Sequence, residues 1–239
     1  MAFLEWISDK DLKASVGKLL IVAKKAMEAS DNESKLYKNV IDPFSASFQM
    51  GGFDLTSQEW LKNEKTRQAQ KTLQNHVGEF HQNILGCVAG WDNLGLGNIV
   101  DLKSTSNKII AEVKNKHNTV TGGNLKDVYD NLAGEVMPKS SVYNGYTAYF
   151  VTIIPKKARR YNLPFTPSDK TTGTRKPINE QIRKIDGASF YELVTKSNSA
   201  LKDLFETLPS VINSILEMEK LTSSDKELLK NLFDRAYLE

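Results

Sequence analysis

One aspartate, one glutamate and one lysine near the middle of this 239-residue chain have the types and spacing that phosphodiester chemistry needs. In NIVDLKSTSNKIIAEVKNKHN, residues 98–118, Asp101 sits on a short apolar run; after ten intervening residues Glu112 and Lys114 sit on a second. Hydrolysis of a phosphodiester needs an activated water and charge stabilisation on the phosphate and the leaving oxygen. Magnesium supplies much of this, and it prefers carboxylate oxygens and water as ligands. Residues two apart on a strand face the same side, so Glu112 and Lys114 point together while Val113 turns to the core. Asp101 reaches the same place if the pairing register allows. Asp101 and Glu112 are then the candidate metal ligands, with the Val113 carbonyl as a third. Lys114 would orient or deprotonate the attacking water and stabilise charge in the transition state. The pattern alone is weak, because acids and lysines are common. Its setting strengthens it: a lone acid within IIAEVK is costly to bury unless it has work to do.

The elements that must position these groups follow from periodicity and turn formers. GNIVDLKS and KIIAEVKN, separated by Thr105, Ser106 and Asn107, read as an antiparallel hairpin. NGYTAYFVTIIP is nearly all apolar and reads as a third, central strand. Upstream, Ser8 caps a helix whose apolar residues Leu12, Val16, Leu19, Leu20 and Ala23 recur at helical spacing. Residues 31–54 read as a loop ending in a turn at Gly51 and Gly52, and a long helix runs from about Thr56 to Val88. Leu73, Val77, Phe80, Ile84 and Cys87 share one face of that helix. Gly90 to Gly97 is a break, and Trp91 beside it reads as a packing anchor. A helix follows a turn at Gly122 and Gly123, and two more helices close the chain, the last with Ser224 and Glu227 as a capping box. The expectation is one α/β domain over residues 1–239, with a central mixed β-sheet flanked by helices. Residues from about 90 to 155 form the catalytic sheet core.

Composition bounds the rest. At 40% apolar and 26% charged residues the chain can build a core and stay solvated. No apolar run approaches the ~20 residues that span a membrane, and the N-terminus has no basic stretch ahead of an apolar one. The single cysteine, Cys87, excludes an internal disulfide and a cysteine-based zinc site. These features point to the cytoplasm, with no membrane partner. The net charge of +3 is unevenly spread: residues 156–184 carry nine basic and two acidic residues, net +7, which leaves −4 for the remainder. Such a segment suggests a polyanionic partner.

Asp101, Glu112 and Lys114 resemble the signature of the PD-(D/E)xK nuclease superfamily. Val100 stands where that signature has its proline, a departure that weakens the match. AEVKNKHNTVTGGN, followed by a tyrosine-containing helix, and later IRKIDGASFYELVTKSNSALKDLFETLP, resemble a type II restriction endonuclease. The likeness covers most of the chain and is to the branch cutting GGNCC-type sites. The resemblance implies a restriction-endonuclease-like fold, Mg2+ as cofactor, double-stranded DNA as substrate and a homodimer acting on a palindromic site. It also implies that a glutamate on the helix upstream completes the site, and Glu79 matches by position.

Guanine is most often read by Arg or Lys in the major groove. Lys170, Arg175 and Lys176 in PSDKTTGTRKP are the candidates, with hydroxyl contacts from Thr171, Thr172 and Thr174. Lys156, Lys157, Arg159 and Arg160 are candidate phosphate contacts that set position. His117 and Asn118, next to the catalytic strand, are further substrate contacts. His76 and His81 read as surface or interface residues. Two alternatives keep parts of this picture: a structure-guided repair or junction-resolving nuclease, and a non-catalytic DNA-binding module of the same fold.

Overall fold

The run Thr147–Ile154 is buried along nearly its whole length, and it takes the middle of a six-stranded sheet. The computed structural model describes residues 2–95, 97–121 and 124–238. In chain order the strands are β1 (Asp92–Asn93), β2 (Leu102–Ser104), β3 (Ile109–Lys116), β4 (Thr147–Ile154), β5 (Asn162–Pro164), β6 (Ser168–Asp169), β7 (Thr174–Arg175) and β8 (Ile182–Asp186). The helices are α1 (Asp9–Asp31), α2 (Glu33–Leu36), α3 (Pro43–Gly52), α4 (Ser57–Gly86), α5 (Leu125–Val136), α6 (Gly187–Thr195), α7 (Ala200–Leu216) and α8 (Ser223–Tyr237). The chain divides into two compact units, one of Met1–Ser15 with His81–Glu239 and one of Val16–Phe80.

The larger unit holds the sheet, in the order β1-β2-β3-β4-β8-β5. The three central strands β3, β4 and β8 run parallel, and the outer pairings are antiparallel. Parallel strands need both faces covered. On one face Tyr129, Leu132 and Val136 of α5 pack with Ile110, Ala148, Phe150, Phe165 and Ile182. On the other, Phe190 of α6 meets Tyr149 and Trp91 edge-on or tilted, at 6.1 and 5.7 Å between ring centres. This is the expected mixed sheet flanked by helices, and Trp91 is the packing anchor its surroundings suggested.

The phrase Ile185-Asp186-Gly187 has a packing explanation. Asp186 is 1% exposed and caps α6 by accepting from the Ser189 N–H. Its other oxygen accepts from the Tyr161 N–H at 2.6 Å, which ties down the chain after β4. A Cβ at Gly187 would stand 2.4 Å from the Ile153 carbonyl oxygen, so only glycine lets α6 start this close to β4.

In the smaller unit the stretch read as a loop is largely helical. Asp42 caps α3 by accepting from the Phe44 and Ser45 N–H groups, and Pro43 opens it. Gly51 and Gly52 end that helix instead of forming a turn. Glu64 on α4 is held by Arg67 at 2.6 Å and by Gln68 at 2.9 Å. Two further expectations change in the larger unit. The box that starts α8 is Thr222 with Asp225, not Ser224 with Glu227. Cys87 follows the end of α4 and is exposed, so it is no part of an apolar face. Gly122 and Gly123, read as a turn, lie outside the described residues. Among the described residues no helix is long and apolar enough to cross a membrane.

Candidate active site

β2 and β3 pair antiparallel with Leu102 opposite Ala111. The Asp101 N–H donates to the Ala111 carbonyl at 2.9 Å, which carries the ladder one residue past β2. Beyond it the Asp101 side chain takes over: its carboxylate accepts from the Val113 N–H at 2.7 Å. That bond sets Asp101 across from the Glu-x-Lys pair. A residue's N–H and C=O point to the same edge of a strand, so the Val113 carbonyl opens toward the side where Asp101 stands.

Glu112 and Lys114 share a face of β3, with Ala111 and Val113 buried on the other. The Lys114 ammonium lies 2.5 Å from the Glu112 carboxylate, and the two side chains are 28% and 16% exposed. Burial pushes the Asp101 carboxyl above its usual range, against the pull of the Val113 N–H and Lys114. Burial also pushes Glu112 up to about 6, and the neighbouring Asp101 adds to it, with Lys114 opposing. The two carboxyl groups stand close enough that the Asp101 charge raises the Glu112 pKa. A dry place that crowds two acids is unfavourable unless they share a proton or a cation. Two carboxylates, a carbonyl and access to water are the donor set of a hard divalent cation such as Mg2+, so the residues present fit that group. Among the described residues no three His, Cys, Asp or Glu side chains gather as a metal-binding cluster.

Gln82 is a neighbour of Asp101 that sequence reasoning missed: its side-chain amide lies near enough to lower the Asp101 carboxyl slightly. It lies on α4 three residues after Glu79, and an uncharged amide carried no signal. The Glu79 carboxylate stands 3.6 Å from the Lys18 ammonium. The parallel register runs from Glu112 through Phe150 to Lys184, so Lys184 points to the Glu112 face two strands away. His81 is turned partly inward: its Nδ1 is 2.8 Å from the Tyr191 hydroxyl, and burial lowers its pKa to about 4.

The basic residues divide by environment. The His117 N–H donates to the Ile154 carbonyl, which sets the residues after β3, His117 and Asn118, beside the end of β4. Lys156, Lys157 and Arg159 follow that end and are exposed. Arg160 is engaged, its guanidinium donating to the Ser189 hydroxyl and ion-paired with Glu192. β6 and β7 form a two-stranded hairpin that carries Lys170, Thr171, Thr172, Thr174 and Arg175, all exposed. Its turn is closed by the Gly173 N–H on the Asp169 carbonyl, with Gly173 at φ 69°. Lys176 is bound inward: its ammonium is 2.7 Å from Asp130 and 3.6 Å from Asp169, over the Tyr129 ring. It braces the hairpin against α5.

A model of the Eco47II restriction endonuclease family matches residues 4–217. The chain belongs to the Eco47II restriction endonuclease family. It is 51% identical to the type II restriction enzyme Eco47II of Escherichia coli, over 99% of this chain and 100% of that one. It is 33% identical to the type II restriction enzyme Sau96I of Staphylococcus aureus, over 98% of this chain and 89% of that one. As a member of the Eco47II family it is a type II restriction endonuclease, as the resemblance of the acids, the lysine and the IRKIDG phrase implied. The mixed sheet is its restriction-endonuclease-like fold.

Proposed function

We propose that the protein is a site-specific endodeoxyribonuclease that hydrolyses phosphodiester bonds of double-stranded DNA with Mg2+, at a short, palindromic, GC-rich target. The observation that carries this reading is the Asp101 carboxylate bonded to the Val113 N–H, which aligns Asp101 with Glu112 and Lys114. Asp101, Glu112 and the Val113 carbonyl would hold the metal. A bound Mg2+ would neutralise phosphate charge and lower the pKa of a water. Lys114 orients that water and offsets the charge that develops on the phosphate. Gln82 is a neighbour of Asp101, and the family resemblance would add Glu79 as a further acid.

The hairpin is the proposed reader. A two-stranded ribbon fits the major groove, and Arg or Lys binds guanine O6 and N7 there. Lys170 and Arg175 would read bases, with Thr172 and Thr174 as hydroxyl contacts and Lys176 holding the ribbon in place. Lys156, Lys157 and Arg159 would contact phosphates, and Arg160 shapes the loop that carries them. His117 and Asn118 would touch the backbone next to the cut. Residues 1–239 act as one nuclease domain in this reading, supported by a family match that runs through both compact units. Two copies would act on a two-fold target in the cytoplasm, one strand each.

Sequencing the ends left after digestion of a large unmethylated DNA with Mg2+ tests the proposal. One short palindrome at every end is the expected result. Scattered ends would favour a structure-guided nuclease, and intact DNA that is still bound would favour a non-catalytic module.

A further inference from the structure

Helix α3 of the smaller unit buries none of its residues. Phe44 and Phe48 are 77% and 79% exposed, and four residues apart they stand on one face. Ser47 and Gly51 lie on that face between and beside them, and a Cβ at Gly51 or Gly52 would meet nothing within 4 Å. Phe53 at the helix end is 70% exposed, and Tyr37 and Val40 shortly before it are 56% and 100% exposed. Large aromatic side chains exposed together on one helix face mark an interaction surface.

We propose that this face of α3 is the two-fold contact between two copies of the chain. The inference rests on the reading above, in which two subunits act on a palindrome. Three arguments select a second copy as the occupant. First, charge: α3 contains no charged residue, and the one acid at its start, Asp42, is committed to the cap. A two-fold axis brings a surface against itself, so a charged patch would repel its own copy, whereas a neutral one does not. Second, a DNA partner is disfavoured, because α3 itself holds no Lys or Arg to meet phosphates. Third, area: three phenylalanines bury ~150–250 Å² each. That is a large share of the roughly 800 Å² per partner of a stable interface. Antiparallel pairing of α3 with α3 would seat Phe44 and Phe48 of one copy over Ser47 and Gly51 of the other, where small residues leave room.

The test is sedimentation of the full-length protein from about 1 to 50 µM without DNA, beside Phe44→Glu/Phe48→Glu and Ser47→Lys, with circular dichroism of each. The second variant adds a charge at an exposed position and removes no apolar group, so it guards against misfolding of the first. A wild-type dimer that both variants turn into helical monomers, with at least a tenfold rise in the dissociation constant, is expected. A monomeric wild type, or a Ser47→Lys protein as dimeric as the wild type, would overturn the proposal and leave the face to a different protein. Failure of the nuclease reading would show separately, as absence of cleavage by a wild type that dimerises.

Discussion

The Val113 N–H and the Asp101 carboxylate meet at 2.7 Å across the open end of the β2–β3 ladder. This bond lets an acid outside the regular strand face Glu112 from a fixed position. It also occupies one Asp101 oxygen, leaving the other for Gln82, Glu112 or a metal. Removing the lysine that faces the pair leaves two crowded acids without a fixed cation. Lys114→Ala should lower single-turnover cleavage by roughly 100- to 10,000-fold, while DNA binding in Ca2+ changes only a few-fold. A comparable loss in binding would make Lys114 a substrate anchor instead.

Gln82 and Glu79 can be separated on one helix. Gln82 lies near Asp101, whereas the Glu79 carboxylate stands next to Lys18. Gln82→Ala should lower the cleavage rate about 10-fold and weaken metal binding, as loss of a group beside a metal ligand typically does. Glu79→Gln should have a comparable effect if Glu79 completes the site. Calorimetric Ca2+ titration of each variant checks both, and an unchanged Glu79→Gln protein would remove Glu79 from it.

The hairpin and the loop after β4 should differ in kind. Arg175→Ala should weaken binding to the target by about 1–3 kcal/mol and hardly affect random DNA. Lys156→Ala should weaken both alike and reduce the salt slope by about 1. Fluorescence anisotropy over a salt series measures both quantities. Equal loss on both DNAs for Arg175→Ala would make it a phosphate contact.

His81 supplies a pH dependence of stability. Its folded pKa of about 4 lies below the ordinary 6.5, because burial disfavours the charged ring. The unfolded chain therefore binds the proton first as pH falls. Stability from the neutral ring is complete above about 6.5 and is lost as pH falls toward 4, by on the order of 3 kcal/mol. Glu112 works in the opposite direction, since its raised pKa favours the folded state at low pH and that gain fades as pH rises through about 6. Urea melts of wild type and His81→Asn at pH 7 and pH 5 isolate the histidine. The variant should be flatter across that interval, and equal slopes would contradict the assignment.

Gly187→Ala should destabilise by about 1–3 kcal/mol or more, because its methyl group would stand 2.4 Å from backbone rather than from a movable side chain. A thermal melt checks this, and a shift within error would mean that α6 moves freely.

That Asp101, Glu112 and Lys114 come together was legible because a period of two, a lone acid in an apolar strand and a short turn all survive in the sequence. The central strand was legible for its unbroken apolar run. Helix α3 was not, since with no buried residue it shows no inward apolar stripe, although Asp42 and Pro43 carried its start signal. β6 and β7 are two residues each, too short for any period to show. In β8 the charged Arg183 and Lys184 separate Ile182 from Ile185, which hides a strand paired on both edges. Gln82 shows only through the packing of its helix.

The most direct test is digestion of one DNA by wild type and by Glu112→Ala, with Mg2+, at matched DNA occupancy measured in Ca2+. Discrete bands from the wild type and none from the variant, with binding retained, are predicted. Cleavage by Glu112→Ala at the wild-type rate would contradict the assignment of the Asp101–Glu112–Lys114 centre.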